Sequence, residues 1–332
     1  EDLDARRKAY VFYLAKATLS GRDITTDQYG RYNLAIRKTL EAVWQGCKNK
    51  TSDDFLKMEV YLKRVWFSNG IYHHYGCEKF APEFSESWFR DVVKALDAEQ
   101  VSLCGYPDVD ALLNAICPVI FDPAVLPKRV NQAEGEDLVR TSACNFYEGV
   151  SQKEAEDFYA SQHDPKAGDC QPSWGLNSKL SKHDGKIAEE KYTTSGLYGP
   201  ALQKIVYWLS KAKDVAENEL QKKLIDLLIN YYTTGDLHVF DEYSIEWLKE
   251  QQGTVDFING FIEVYGDPLG LKGTWEGIVE LRDEKATQRT RTIAENAQWF
   301  EDHSPVDARF RKPKVKGVSA HVVQAAMLGG EE

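Results

Sequence analysis

Asp256-Phe257-Ile258-Asn259-Gly260-Phe261-Ile262-Glu263-Val264-Tyr265-Gly266-Asp267-Pro268-Leu269-Gly270 is apolar, aromatic and β-branched, the composition of a strand. It nevertheless carries Asp256, Asn259 and Glu263, polar groups that a purely structural strand does not need. Gly260 in its middle points to a bulge or a close backbone approach. Asp267-Pro268 and Gly270 end it as a turn. A second strand, Thr274 to Leu281, follows within a few residues, so the simplest reading is a β-hairpin whose polar groups face a cleft.

Working back towards the N-terminus, helices dominate. Val239 to Gln252 reads as a helix ending at Gly253. Leu220 to Tyr232 is another, with Leu224, Leu227, Leu228 and Tyr231 on one face and a break at Thr233-Thr234-Gly235-Asp236. Leu197 to Ala216 is a third, with Pro200 in its first turn. Before it, Asn177–Lys182 and Lys186–Thr194 are short strands joined by His183-Asp184-Gly185, a hairpin signal. His163 to Gly175 is loop. Ser151-Gln152-Lys153-Glu154 has the spacing of a capping box for a short helix to Tyr159.

The first 122 residues read as a helical block. Leu3 to Leu19 is a helix that Ser20-Gly21 should stop. Thr25-Thr26-Asp27 should start a second, running to Gln45-Gly46. Thr51-Ser52-Asp53-Asp54 starts a third, reaching Phe67. Ser85-Glu86-Ser87-Trp88 and Asp108 open two more. Pro118, Pro123 and Pro127 mark a junction. His73 and His74 are adjacent, so they cannot share one face of a helix or strand, and they read as a packed loop. Beyond the hairpin, Glu284 to His303 is a charged amphipathic helix, and Ser319 to Leu328 is a small-residue apolar segment, helix or strand.

Hydrophobic residues make up 42% of the 332 and charged residues 28%, an ordinary globular balance. A net charge of −11 argues against a general nucleic-acid binder. The apolar runs fall short of a membrane span. Cys47, Cys77, Cys104, Cys117, Cys144 and Cys170 show no C-x-x-C spacing, and reduced, unpaired thiols in a cytoplasmic protein are expected. The chain starts at Glu1 rather than Met, and both ends are expected to be cuts in a longer protein. No HExxH, H-x-x-E-H, G-x-S-x-G, Walker A or G-x-G-x-x-G motif occurs. The polar residues of the 256–263 strand are therefore the strongest functional candidates. A carboxylate there can pair with a ligand ammonium, and a strand edge can hydrogen-bond an extended peptide.

Gly260-Phe261-Ile262-Glu263 with Tyr265, Asp267-Pro268, Gly270, Gly273, Glu276-Gly277 and Val279 resembles a signature of the dipeptidyl peptidase III family. Tyr198 to Val206 with Lys211-Ala212-Lys213, then Thr234-Gly235 and Trp247, and Asn145-Phe146-Tyr147, are similar to that family's neighbouring segments. The resemblance runs from about Val139 to Gly330, and Trp66 to Ser85 looks like the bacterial branch.

The resemblance implies a zinc exopeptidase that releases dipeptides from the N-terminus of short peptides, built as two lobes around a cleft. This chain would be the N-terminal, substrate-binding portion, lacking the HExxGH motif and inactive alone. The implied fold is α+β: a helical N-terminal block plus a small five-stranded β-barrel lobe with flanking helices. Residues 1–122 would form the helical part of that lobe and 123–282 its barrel and helices. Residues 283–312 would be a helix belonging to the zinc lobe, and 313–332 a return segment. Asp256 aligns with the family's glutamate that holds the substrate's α-ammonium. Ile258 falls where relatives carry a tyrosine that stabilises the transition state, and Asn259 is the candidate replacement donor. The implied substrate-binding set is Asp256, Phe257, Ile258, Asn259, Gly260 and Glu263, with no catalytic or metal-ligating residue in this chain. Zinc belongs to the complete protein. The expected partners are a short peptide and the missing C-terminal zinc lobe, with no nucleic acid and no membrane. The alternative reading is a non-catalytic peptide- or protein-interaction module.

Overall fold

The computed structural model describes residues 3–97, 99–315 and 321–330. In chain order the elements are α1 (Ala5–Gln28), α2 (Asn33–Gly46), α3 (Asp53–Phe67), α4 (Glu86–Ala95), α5 (Val109–Phe121), α6 (Leu138–Thr141) and β1 (Tyr147–Glu148). Then come α7 (Gln152–Ala160), β2 (Ser178–His183), β3 (Lys186–Lys191), α8 (Gly199–Asp214), α9 (Glu219–Thr234) and α10 (Leu237–Trp247). The chain continues with β4 (Val255–Glu263), β5 (Thr274–Arg282), α11 (Glu284–Glu295), α12 (Ala297–His303), a 3-10 turn at Ala308–Phe310 and β6 (Val323–Gly329).

Local signals place many of these boundaries. Ser52, Ser85 and Asp108 each accept a backbone N–H of the first turn they cap, at Phe55, Trp88 and Ala111. The capping box is complete: Ser151 takes the Glu154 N–H, and Glu154 returns the bond to the Ser151 N–H at 2.9 Å. Asp184 and Gly185, with φ of 49° and 77°, form the tight turn between β2 and β3. The segment assigned to Ser319–Leu328 is a strand from Val323, and its first two residues lie outside the described ones.

No five-stranded barrel forms among the described residues. The strands make two separate three-stranded sheets, ordered β1-β2-β3 and β4-β5-β6. Two features of the strands keep the sheets open. β1 is two residues long and cannot carry a closing ladder. The outer strand β3, Lys186-Ile187-Ala188-Glu189-Glu190-Lys191, is mostly exposed and charged, which is how an open edge is kept from pairing. The sheets meet through the loops instead: Gly273 donates its N–H to Leu176 O at 2.8 Å.

A second correction concerns the first helix. Ser20-Gly21 does not stop it, because α1 runs unbroken to Gln28. Gly21 is there for space. A Cβ at that position would run into the indole of Trp275 on β5. Around this contact α1 docks on the sheet as if it were another strand. Gln28 donates to Gly273 O at 3.0 Å and accepts the Trp275 N–H at 2.8 Å, and Thr25 donates to Trp275 O at 2.8 Å. Tyr10, Leu14, Ala17 and Ile24 of α1 therefore share one core with α8, α9 and β4–β5. Helices α2–α5 build a different core around Ile36, Leu40, Met58, Leu62, Leu113 and Ile116.

Candidate functional site

The strand expected at 256–263 forms as β4, paired antiparallel with β5 in register Asp256↔Glu280, Ile258↔Ile278 and Gly260↔Glu276. The register shifts between Phe261 and Glu263, so the irregularity lies just beyond Gly260. Gly260 itself is the close approach: a Cβ there would sit 2.8 Å from the Phe240 ring of α10.

Alternation along the strand sends the six candidate residues to two faces. Phe257 is buried edge-on to Tyr10, with centroids 6.3 Å apart. Asn259 is buried on the same side and accepts a hydrogen bond from the Tyr232 hydroxyl, which itself accepts from Trp275 Nε1 at 3.1 Å. Asp256 and Ile258 occupy the other face, half-buried, and Gly260 on that face lies beneath Phe240. Glu263 ends the strand opposite Thr274. The structure therefore does not gather these six side chains around one cleft.

It does build a charged cluster around Asp256. The Asp256 side chain keeps 15% exposure. Its Oδ1 accepts from Trp247 Nε1 at 3.1 Å and from the Phe257 N–H at 2.8 Å. Its Oδ2 lies 3.4 Å from the guanidinium of Arg282, whose side chain is 2% exposed. Arg282 also pairs with Glu250 at 3.2 Å and donates to the Glu250 carbonyl at 2.9 Å. Two carboxylates thus face one guanidinium. Arg282 lies diagonally across from Asp256 on the sheet, a relation that exists only once the strand register is set. The backbone of Val255 turns away from β5, bonding Glu217 Oε2 at 2.8 Å and Gln221 Nε2 at 2.9 Å, so β4 begins as an outer strand held by the α8–α9 junction.

A second polar assembly had no sequence signal. Lys272, fully buried, donates to the hydroxyls of Tyr159 and of Ser178, the latter at 3.1 Å. Both hydroxyls donate onward to Glu189 Oε1, at 2.8 and 2.6 Å. Burial pulls the Lys272 ammonium down to about 8, and burial beside Glu189 pushes the Tyr159 phenol up. Next to it, Asp267 is far from a simple turn residue. Its carboxylate accepts the N–H groups of Leu271 and Lys272 at 2.8 and 2.9 Å and the Tyr147 hydroxyl at 2.9 Å. A groove of about 780 Å³ opens beside this assembly, walled by Tyr159, Trp174, Phe240, Ile262, Val264 and Leu271.

Among the described residues no three His, Cys, Asp or Glu side chains form a group able to hold a metal ion. The zinc implied by the sequence resemblance therefore finds no fit in them. His73 is occupied otherwise: its Nδ1 accepts the N–H groups of Tyr75 and Gly76 at 3.2 and 3.1 Å, and its ring stacks on His74. No helix of the described residues is long and apolar enough to cross a membrane.

Part of the chain matches a known family. Residues 159–319 match the model of peptidase family M49. Human dipeptidyl peptidase 3 is 24% identical over a region covering 80% of this chain and 38% of that protein. The dipeptidyl peptidase 3 of Nematostella vectensis is 23% identical, covering 93% of this chain and 48% of the relative. The solved structure of DPP III from Caldithrix abyssi superposes with a TM-score of 0.66 at 19% identity, over 99% of this chain and 49% of that one, and shares its fold. The chain spans less than half the length of each of these relatives. The chain thus matches peptidase family M49 over residues 159–319 and is similar to dipeptidyl peptidase 3 proteins along most of its length.

Proposed function

We propose that this chain is the substrate-binding portion of a zinc-dependent dipeptidyl peptidase and that Asp256 receives the α-ammonium of a short peptide. The observation that carries the reading is the charge count around Asp256. Glu250, Asp256 and Arg282 leave one carboxylate in excess, and Asp256 is its solvent-reaching member. A largely desolvated excess negative charge favours a cation, and a peptide N-terminus supplies one with three donors. Trp247 and the Phe257 N–H hold the carboxylate in one orientation, so the anchor is in place before the ligand arrives. Arg282 lowers the net charge offered to the ammonium, which moderates affinity and allows the peptide to leave. Bond cleavage is assigned to no residue of this chain, and zinc is assigned to the complete protein.

Calorimetry with a tetrapeptide bearing a free N-terminus tests the anchor. The free peptide is expected to bind about tenfold more tightly than its N-acetylated form. Asp256→Asn should abolish that difference while the helical circular dichroism stays unchanged. Equal binding of both peptides by the unaltered chain would overturn the assignment and favour a module without a peptide-amine site.

A further inference from the structure

On the outer surface of α1 and α8 the charge of the protein inverts. Residues 5–22 and 199–213 contain no Asp or Glu, although the chain as a whole carries −11. They do contain eight cations, Arg6, Arg7, Lys8, Lys16, Arg22, Lys204, Lys211 and Lys213. Three are engaged within the fold: Arg6 on the Val215 carbonyl, Arg7 on Glu217 and Lys213 on Asp226. Lys8, Lys16, Lys204 and Lys211 stand outside the ion pairs of the described residues.

Helical spacing lines these lysines up with aromatic rings. Lys8, Phe12 and Lys16 recur every four residues on α1, and Lys204, Tyr207, Trp208 and Lys211 form the matching stripe on α8. The stripes touch. Trp208 lies edge-on to Phe12 at 6.3 Å and to Tyr207 at 5.0 Å, and it stacks on Tyr13 at 6.1 Å. Phe12 remains 51% exposed and Tyr207 55% exposed. Lys16 lies over the Phe12 ring at 5.5 Å and Lys211 over Tyr207 at 5.9 Å. Phe12 lies on the face of α1 opposite the buried Tyr10, Leu14 and Ala17, and neither Phe12 nor Tyr207 joins the core, whereas Tyr13 and Trp208 are partly buried against it and form the floor of the patch. Exposed aromatic rings flanked by lysines outside any ion pair among the described residues offer apolar and cationic contacts on one surface.

We propose that the α1–α8 face docks a short acidic segment of a partner protein. Its carboxylates would meet Lys8, Lys16, Lys204 and Lys211, and an apolar side chain would lie on Phe12, Tyr207 and Trp208. The size of the patch selects a short segment over a continuous polyanion. Lys8 to Lys16 spans roughly 12 Å of helix, close to the ~10 Å Debye length. A segment of that length meets only the basic patch. An anionic bilayer or a long nucleic acid extends past it and is repelled by the acidic remainder of the molecule.

The test is fluorescence anisotropy with a dye-labelled pentapeptide, Glu-Phe-Glu-Phe-Glu, which extends to roughly 16 Å, against the chain of residues 1–332. Saturable binding that weakens with added salt is expected. The exposed double variant Lys16→Glu/Lys211→Glu should weaken it about tenfold or more, and Tyr207→Ala should weaken it without changing the salt dependence. Both variants should retain the helical circular dichroism, and a Lys-for-Glu version of the peptide should not bind. Binding unaffected by either variant, or no binding at all, overturns the proposal. So does tighter association with vesicles of phosphatidylcholine and phosphatidylserine than with the peptide, which would make the face a membrane surface.

Discussion

Trp275→Ala is expected to destabilise the protein by about 3–5 kcal/mol, read as a fall in the urea midpoint of the 222 nm circular dichroism signal. Trp275 is the largest fully buried side chain among the described residues. Its indole fills the space left open by Gly21 of α1, and its Nε1 donates to Tyr232, which in turn holds Asn259. Its backbone N–H and carbonyl are the groups that Gln28 and Thr25 grip. Removing the indole therefore opens a cavity where the first helix, the β4–β5 hairpin and α9 meet. The reciprocal substitution tests the same contact from the other side. Gly21→Ala adds a methyl group where the ring already stands. It is expected to cost about 1–3 kcal/mol, although alanine in a helix interior would ordinarily gain about 0.5–1 kcal/mol over glycine. A stabilised Gly21→Ala protein would show that the helix is not seated against Trp275.

Raising the pH from about 8 towards 10 is expected to stabilise the folded state through Lys272, by at most about 3 kcal/mol. Burial lowers the folded-state value of this lysine from 10.5 to about 8. Between those two values the unfolded chain holds a proton that the folded chain has released, so stability rises with pH across that interval. Below it the ammonium is charged in both states and the contribution levels off, with the ammonium donating to the Tyr159 and Ser178 hydroxyls, which donate in turn to Glu189. The window closes near pH 10. Above it the unfolded chain ionises its tyrosines, whereas burial holds Tyr147 and Tyr159 protonated in the fold, and stability falls again. Lys272→Met keeps the buried stem and removes the titration. The difference in urea midpoint between wild type and variant should change with pH over this interval and be flat below it. A constant difference would mean that Lys272 does not titrate there. The same residue ties the 267–273 turn to α7 and to β2, so its loss should also loosen the wall of the adjoining groove.

Part of this architecture is written in neighbouring residues. Ser52, Ser85, Asp108 and the Ser151–Glu154 box start their helices because a side chain three residues away from an orphan N–H can satisfy it without help from the rest of the chain. Asp184-Gly185 makes its turn because both residues tolerate positive φ. The β4–β5 hairpin follows from composition and the Asp267–Gly270 turn, and the same stretch carries the family resemblance. What failed at this level failed for one reason. Gly21 reads as a helix stop when only its propensity is counted, and as a seat for Trp275 once a residue about 250 positions away is known to pack there. The family resemblance implied one five-stranded barrel, yet pairing depends on which edges meet, and the short β1 and charged β3 keep the two sheets apart.

The candidate site divides in the same way. Sequence alone singled out Asp256 and Asn259 as polar residues in an apolar strand. It could not separate them, because the side of the strand each would face, and what would stand there, were unset. Tertiary packing turned Asn259 inward to Tyr232 and left Asp256 at a half-open edge, sharing Arg282 with Glu250. By itself the sequence determined many of the helices' starting points and the hairpin, since these rest on contacts between near neighbours, and it carried the family resemblance. Only the tertiary structure decided the union of α1 with the sheet, the separation of the two sheets and the partners of Asp256 and Lys272. Each of those depends on which distant surfaces exclude water from one another, and local spacing carries no record of that.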